Sequence, residues 1–172
     1  CGQQVDGYGT HGLSCRMSAG RDMRQNAVND VIKRAMTSAN VPAMLEPSSL
    51  SRDDGKRPDG LTVMPWANGR CLVWDFTCPD TLAASHLNPA VLNPSAVAND
   101  AENRKSFKYR SLAALYCFTP IAVETLGALG DEASAFFHDL GRRIATVSGE
   151  PRSFQYLMQR LSVTVQRGNE CS

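Results

Sequence analysis

Two apolar runs of strand length, residues 61–66 and 71–76, flank the tetrapeptide Ala67-Asn68-Gly69-Arg70. Asn-Gly accepts the positive φ angles of a tight two-residue turn, so the runs are expected to pair as an antiparallel hairpin. Pro65 cannot donate to a ladder, which places the first strand at an edge or distorts it. Each run also carries a carboxylate. Asp59 opens the first, after Arg57-Pro58, and Asp75 lies near the end of the second, in Cys71-Leu72-Val73-Trp74-Asp75-Phe76-Thr77. A turn cap after proline is the ordinary explanation for Asp59. Asp75 runs against strand preference and wants a reason.

Hairpin register decides whether the two aspartates can meet. A two-residue turn at Asn68-Gly69 sets Asp75 opposite Thr62 and puts Asp59 on the other side of the sheet. A one-residue bulge places Asp59 opposite Thr77 or, slipped the other way, opposite Pro79, beyond the expected strand end. Thr77 is the more sensible partner. Asp59 is then diagonal to Asp75 on one face, roughly 7–8 Å away at the backbone. A shared metal therefore requires a bulge or a kink at Gly60.

The rest of the chain reads as alternating elements. Residues 22–39 carry Val28, Val31, Ile32, Ala35, Met36 and Ala39 on one helical face, ended by Asn40 and Pro42. A short strand is expected at 43–46 and a turn-rich loop at 47–57. Residues 78–94 hold three of the prolines and read as a loop, and Pro79-Asp80 within them as a cap. Helical spacing returns over 95–116, a β-type run over 119–125, and helices over 131–147 and from Pro151 onward, with proline at the first helical position. The order α-β-β-β-α-β-α-α implies an α/β sandwich.

The helix after the hairpin can be read with an inward stripe of Ala98, Ala101, Lys105, Lys108, Leu112 and Leu115. A buried ammonium is costly unless paired, and carboxylates at the hairpin end would pair it. The alternative is that both lysines run along their stems to the surface. Mg²⁺ suits a site of two aspartates, because it keeps several waters and needs one or two carboxylates plus a substrate phosphate.

The length fits one domain with a sizeable core, and no apolar run approaches a membrane span. The formal net charge is +1. Its distribution suggests an acidic centre, with Asp53, Asp54, Asp59, Asp75 and Asp80, between basic flanks, as a metal site in a phosphate-binding cleft would need. Solvated helix faces explain the flanks equally simply. Six cysteines are widely spaced, and Cys71, Cys78 and Cys117 read as buried thiols in a reducing compartment. The chain opens with Cys1 and lacks an initiator Met, so a piece of a longer protein is expected.

Pro58-Asp59, then Asp75 on the next strand, then Lys105-Ser106-Phe107-Lys108-Tyr109 on a helix, then Pro120-Ile121-Ala122-Val123-Glu124-Thr125-Leu126-Gly127 resemble the restriction-like endonuclease domain of site-specific non-LTR retrotransposons, the R2-type elements. That domain has the PD-(D/E)XK nuclease fold, a mixed α/β sheet flanked by helices. The resemblance implies a Mg²⁺- or Mn²⁺-dependent endonuclease that nicks target DNA to prime reverse transcription. Asp59 and Asp75 would hold the metal and Lys105 would position the attacking water, since Thr77 stands where the broader fold carries its lysine. Arg16, Arg24, Lys56, Arg57 and Lys108 would contact nucleic acid. Cys1, His11 and Cys15 resemble the tail of a zinc knuckle, dividing the chain into a knuckle-like segment at 1–20 and a nuclease-like domain at 21–172. The implied partners are DNA, the reverse transcriptase domain of the same polyprotein and element RNA, in the nucleus. Gln25 replaces the histidine that often follows the arginine of the first helix. The rival expectations are a nuclease-derived module that binds nucleic acid without cutting it, and a structural domain that packs beside the polymerase.

Overall fold

The computed structural model describes residues 19–50, 55–83, 85–86 and 93–170. Cys1, His11, Cys15 and Arg16 lie outside the described residues, and so do Asp53 and Asp54. The elements follow the expected order: α1 (Ala19–Ser38), β1 (Ala43–Leu45), β2 (Gly60–Ala67), β3 (Arg70–Thr77), α2 (Ala96–Lys108), β4 (Cys117–Ala122), α3 (Asp131–Ser148) and α4 (Ser153–Glu170). Short 3₁₀ turns occupy Ser48–Leu50 and Arg110–Ala114. The four strands form one mixed sheet in the order β1-β2-β3-β4, antiparallel except for the parallel β3–β4 pair. No described helix is long and apolar enough to cross a membrane.

Alternation along β3 divides the layers. Leu72, Trp74 and Phe76 join Ile121 and Val123 of the β4 segment in the main core, against α1, α3 and α4. On the other side Ala98 and Ala101 of α2 pack on Ala122. Asp75 shares the parity of Val73 and Thr77, opposite to that of the main-core residues, and its partner Lys105 comes from α2. Among the described residues this makes a three-layer α/β arrangement, with α2 the one α-helix on the Asp75 side.

The hairpin turn forms as expected, with Asn68 at φ 50° and Gly69 at φ 70°. The register then slips further than expected. Ala67 pairs with Arg70 and Pro65 with Cys71, but Leu61 pairs with Val73 and Gly60 with Trp74. The Thr62 hydroxyl accepts the Leu72 N–H at 2.9 Å and donates to the Met64 carbonyl at 2.8 Å. A side chain thereby satisfies backbone groups that the irregular ladder leaves over. Pro65 lies beyond the stretch of β2 that β1 covers, so its missing N–H costs no ladder bond. The Gly60↔Trp74 register places Asp59 across from Asp75 itself, rather than across from Thr77.

Three further expectations are corrected. The helix read over 95–116 ends at Lys108, where Tyr109 leaves helical geometry at φ −106°, ψ 17°. The inward stripe stops there, and Leu115 is 72% exposed. Pro151 lies in a turn, two residues ahead of α4. Cys71, Cys78 and Cys117 are free thiols but only half-buried.

Buried carboxylates tie α2 into this frame. Glu124 Oε1 accepts the Ala98 N–H at 3.1 Å, capping the start of α2. Glu102 of α2 accepts the Ala122, Glu132 and Ala133 N–H groups, capping α3. Burial pushes the Glu102 carboxyl above its ordinary range, against the opposing pull of those three donors. Gly130 leaves room for this cap, since a Cβ there would fall 2.2 Å from the Glu102 carboxyl carbon.

Candidate active site

Asp59 sits at the last turn before β2, bound to β3 twice. Its N–H donates to the Trp74 carbonyl at 3.0 Å, and its Oδ2 accepts the Phe76 N–H at 2.6 Å. Its other oxygen accepts from Gln25 Nε2 of α1 at 2.9 Å. Burial raises the Asp59 pKa, and the nearby charge of Asp75 raises it further. The Phe76, Gln25 and Asn29 donors pull the other way. Two carboxylates are therefore close enough to repel one another in a partly enclosed place.

Asp75 is held from α2 and its C-terminal cap. Lys105 Nζ forms an ion pair with Asp75 Oδ2, and the Tyr109 hydroxyl lies 3.0 Å from Oδ1. The Asp75 side chain is 4% exposed and that of Lys105 24%, so the ammonium spans the interior and the solvent edge. Residues 105 and 109 are four apart. Ending the helix at Lys108 still leaves Tyr109 N–H bonded to the Lys105 carbonyl, which keeps both side chains on one side. The Tyr109 hydroxyl also lies 3.1 Å from the Arg57 carbonyl and accepts from Lys108 Nζ at 2.7 Å. Tyr109 is buried, so its oxygen is a fixed junction between Asp75, Lys108 and the Arg57 backbone.

The structure thus brings Asp59, Asp75, Lys105 and Lys108 together. The other expected contact residues are placed differently. Arg24 is buried, with NH1 donating to Asn169 Oδ1 of α4 at 2.7 Å, so it offers no surface to a phosphate. The Arg57 guanidinium forms an ion pair with Glu46, and Lys56 is exposed. Among the basic flanks, Arg34, Arg104, Arg142, Arg143 and Arg152 all pair with acidic residues a few positions away. These five arginines pair locally, as side chains on solvated helix faces do. Asp80 stands outside the site: its Oδ1 accepts the Leu82 N–H at 3.0 Å, as a loop cap does.

Among the described residues no group of three or more His, Cys, Asp and Glu side chains gathers, so no protein-built metal cage is present there. Two mutually repelling aspartates with spare lone pairs remain a donor set that fits Mg²⁺ or Mn²⁺ completed by waters and a phosphate. Asp59 and Asp75 are the residues that would hold it.

The sequence pattern assigns no role to Tyr109, Gln25 or Asn29. Tyr109 has a visible signal, its spacing of four from Lys105. Gln25 and Asn29 share that spacing on α1, but nothing in the sequence aims their face at Asp59. Compared with known proteins, the chain matches no protein-family model and no curated protein sequence.

Proposed function

We propose that this chain is a metal-dependent endonuclease domain that cleaves a DNA phosphodiester by hydrolysis, as the resemblance to the retrotransposon endonucleases implies. One observation carries the reading: Lys105 reaches Asp75 from α2 while Asp59 approaches the same residue from the neighbouring strand. A nucleic-acid-binding module would have no need for this convergence of two carboxylates and an amine in a half-buried corner.

When bound, a divalent cation supplies charge neutralisation at the scissile phosphate and acidifies water. The protein's own groups do the rest. Asp59 and Asp75 present oxygens from two adjacent strands whose bulged pairing fixes their spacing. The partly exposed Lys105 ammonium can donate both to Asp75 and to an incoming water or phosphate oxygen. There it orients the nucleophile and stabilises negative charge that grows in the transition state. Tyr109 holds Asp75 from the opposite oxygen. Lys108, tethered to Tyr109, adds positive charge on the phosphate side. The nicked product's 3′-hydroxyl would serve a polymerase domain of the same polyprotein.

The test is nicking of supercoiled plasmid DNA with Mg²⁺ or Mn²⁺ and an EDTA control. Nicking is expected from the parent and not from Asp59→Ala or Asp75→Ala. Salt-sensitive DNA binding without any metal-dependent nicking would replace the reading with the binding module. Variants that nick like the parent would end it.

A further inference from the structure

Helix α1 sets an amide against the same aspartate. Gln25 Nε2 donates to Asp59 Oδ1 at 2.9 Å, and Asn29, one helical turn on, also favours the charged form of this carboxylate. Asn29 is not free to choose its orientation. The Trp74 indole Nε1 donates to Asn29 Oδ1 at 3.1 Å, which leaves the amide nitrogen as the end that faces Asp59. Asn29 and Trp74 are buried. Gln25 is only half-buried, so its side chain is not an enclosed core amide satisfying itself.

The two oxygens of Asp59 have different anchors. Oδ2 is fixed by the Phe76 backbone N–H at 2.6 Å. A carboxylate held at one oxygen can still swing about its broad terminal torsion. A second donor on the other oxygen fixes the plane, and with it the direction of the remaining lone pairs. The donor is also neutral. Lys105 already offsets the charge of Asp75, and a second cation on Asp59 would cancel the charge that a divalent ion requires.

We propose that Gln25 is a positioning residue for the cleavage reaction, its side-chain N–H locking the plane of the Asp59 carboxylate against the Phe76 anchor on the other oxygen. The inference rests on the endonuclease reading and assigns to α1 a part that the strands and α2 do not supply. Asp59 is set in angle by α1 and in position by β3. Gln25 itself touches neither substrate nor the reacting atoms.

The experiment compares the parent with Gln25→Ala and Gln25→Glu in plasmid nicking, DNA affinity by fluorescence anisotropy, and thermal melting. Gln25→Glu has nearly the parent's volume but lacks the donor, so it carries the test if Gln25→Ala fails to fold. Both variants are expected to lower kcat on the order of 10- to 100-fold, the scale of a small misplacement at a reacting centre. DNA affinity is expected to stay at the parent's value, while the melting temperature falls, more for Gln25→Glu, whose carboxylate adds to the repulsion between Asp59 and Asp75. A Gln25→Glu protein that nicks at the parent's rate, or a loss that lies in DNA affinity instead of kcat, overturns the proposal. A parent that nicks with neither Mg²⁺ nor Mn²⁺ overturns the endonuclease reading and this inference with it. A nicking parent with indifferent variants overturns this inference alone.

Discussion

Asp59 grips β3 on both sides of Asp75: its N–H bonds the Trp74 carbonyl at 3.0 Å, and its Oδ2 accepts the Phe76 N–H at 2.6 Å. Two acidic residues are thus held together through the backbone of the residues on either side of one of them, at a place where their charges repel. The arrangement costs stability in the absence of a cation, and it makes the site measurable by stability as well as by activity.

Asp59→Asn is expected to stabilise the metal-free protein at neutral pH while abolishing nicking. The Asp59 pKa is raised by burial first and by Asp75 second, so the native state holds its proton more tightly than the unfolded chain does. Its ionised form therefore opposes folding. That penalty is fully present above the folded pKa and disappears as pH falls below the unfolded value near 3.8. Urea denaturation in EDTA should show the variant ahead of the parent at pH 7, with the gap closing toward pH 3.5. A parent more stable than the variant at pH 7 would contradict this account.

Lys105→Met removes the cation from Asp75, whose side chain is 4% exposed. The orphaned carboxylate should cost about 1–3 kcal/mol of stability, below the full penalty for a wholly buried pair because Lys105 is partly solvated. Adding Asp75→Asn in the same chain should return much of that loss. Equilibrium unfolding of the two variants beside the parent checks both statements, and nicking should fall by more than about 100-fold in each.

Tyr109→Phe deletes one oxygen that lies against Asp75 Oδ1, Lys108 Nζ and the Arg57 carbonyl. The residue is buried, so water cannot easily take its place. A stability loss of about 1–3 kcal/mol is expected, with a fall in nicking on the order of tenfold. Unchanged melting and unchanged activity would show that the hydroxyl is not a junction.

Gly60→Ala tests the backbone that carries Asp59. A Cβ at Gly60 would fall 2.0 Å from the Trp74 ring, far inside contact distance. The indole must move, which breaks its bond to Asn29 and shifts the strand end. Overpacking of this kind costs about 1–3 kcal/mol. The melting temperature should fall and the tryptophan emission should shift red. A variant with parental emission and stability would show that the Gly60–Trp74 contact is looser than described.

Much of the architecture is legible in the chain because it depends on local patterns. The 3.6-residue spacing of Val28, Val31, Ile32, Ala35, Met36 and Ala39 predicts α1, and all six are buried. Asn68-Gly69 predicts the turn because both residues accept positive φ. The stripe from Ala98 to Lys108 predicts the face of α2 that meets Asp75. Leu112 and Leu115 continue the period, yet the helix has already ended at Tyr109. Spacing reports which residues share a face and does not report where a helix stops.

The order of elements, the hairpin, and the two aspartates and lysine as candidates for one site are readable along the chain. The register that sets Asp59 across from Asp75 comes from the assembled fold. In that register the Thr62 hydroxyl stands in for a ladder acceptor of Leu72, and Pro65 lies beyond the stretch that β1 covers. The assembled fold also turns Arg24 inward to Asn169, while Gln25 beside it reaches Asp59. The physical reason is the same in each case. Hydrophobic periodicity is a property of neighbours along the chain. Satisfying a particular buried donor or acceptor depends on groups that come from distant parts of it.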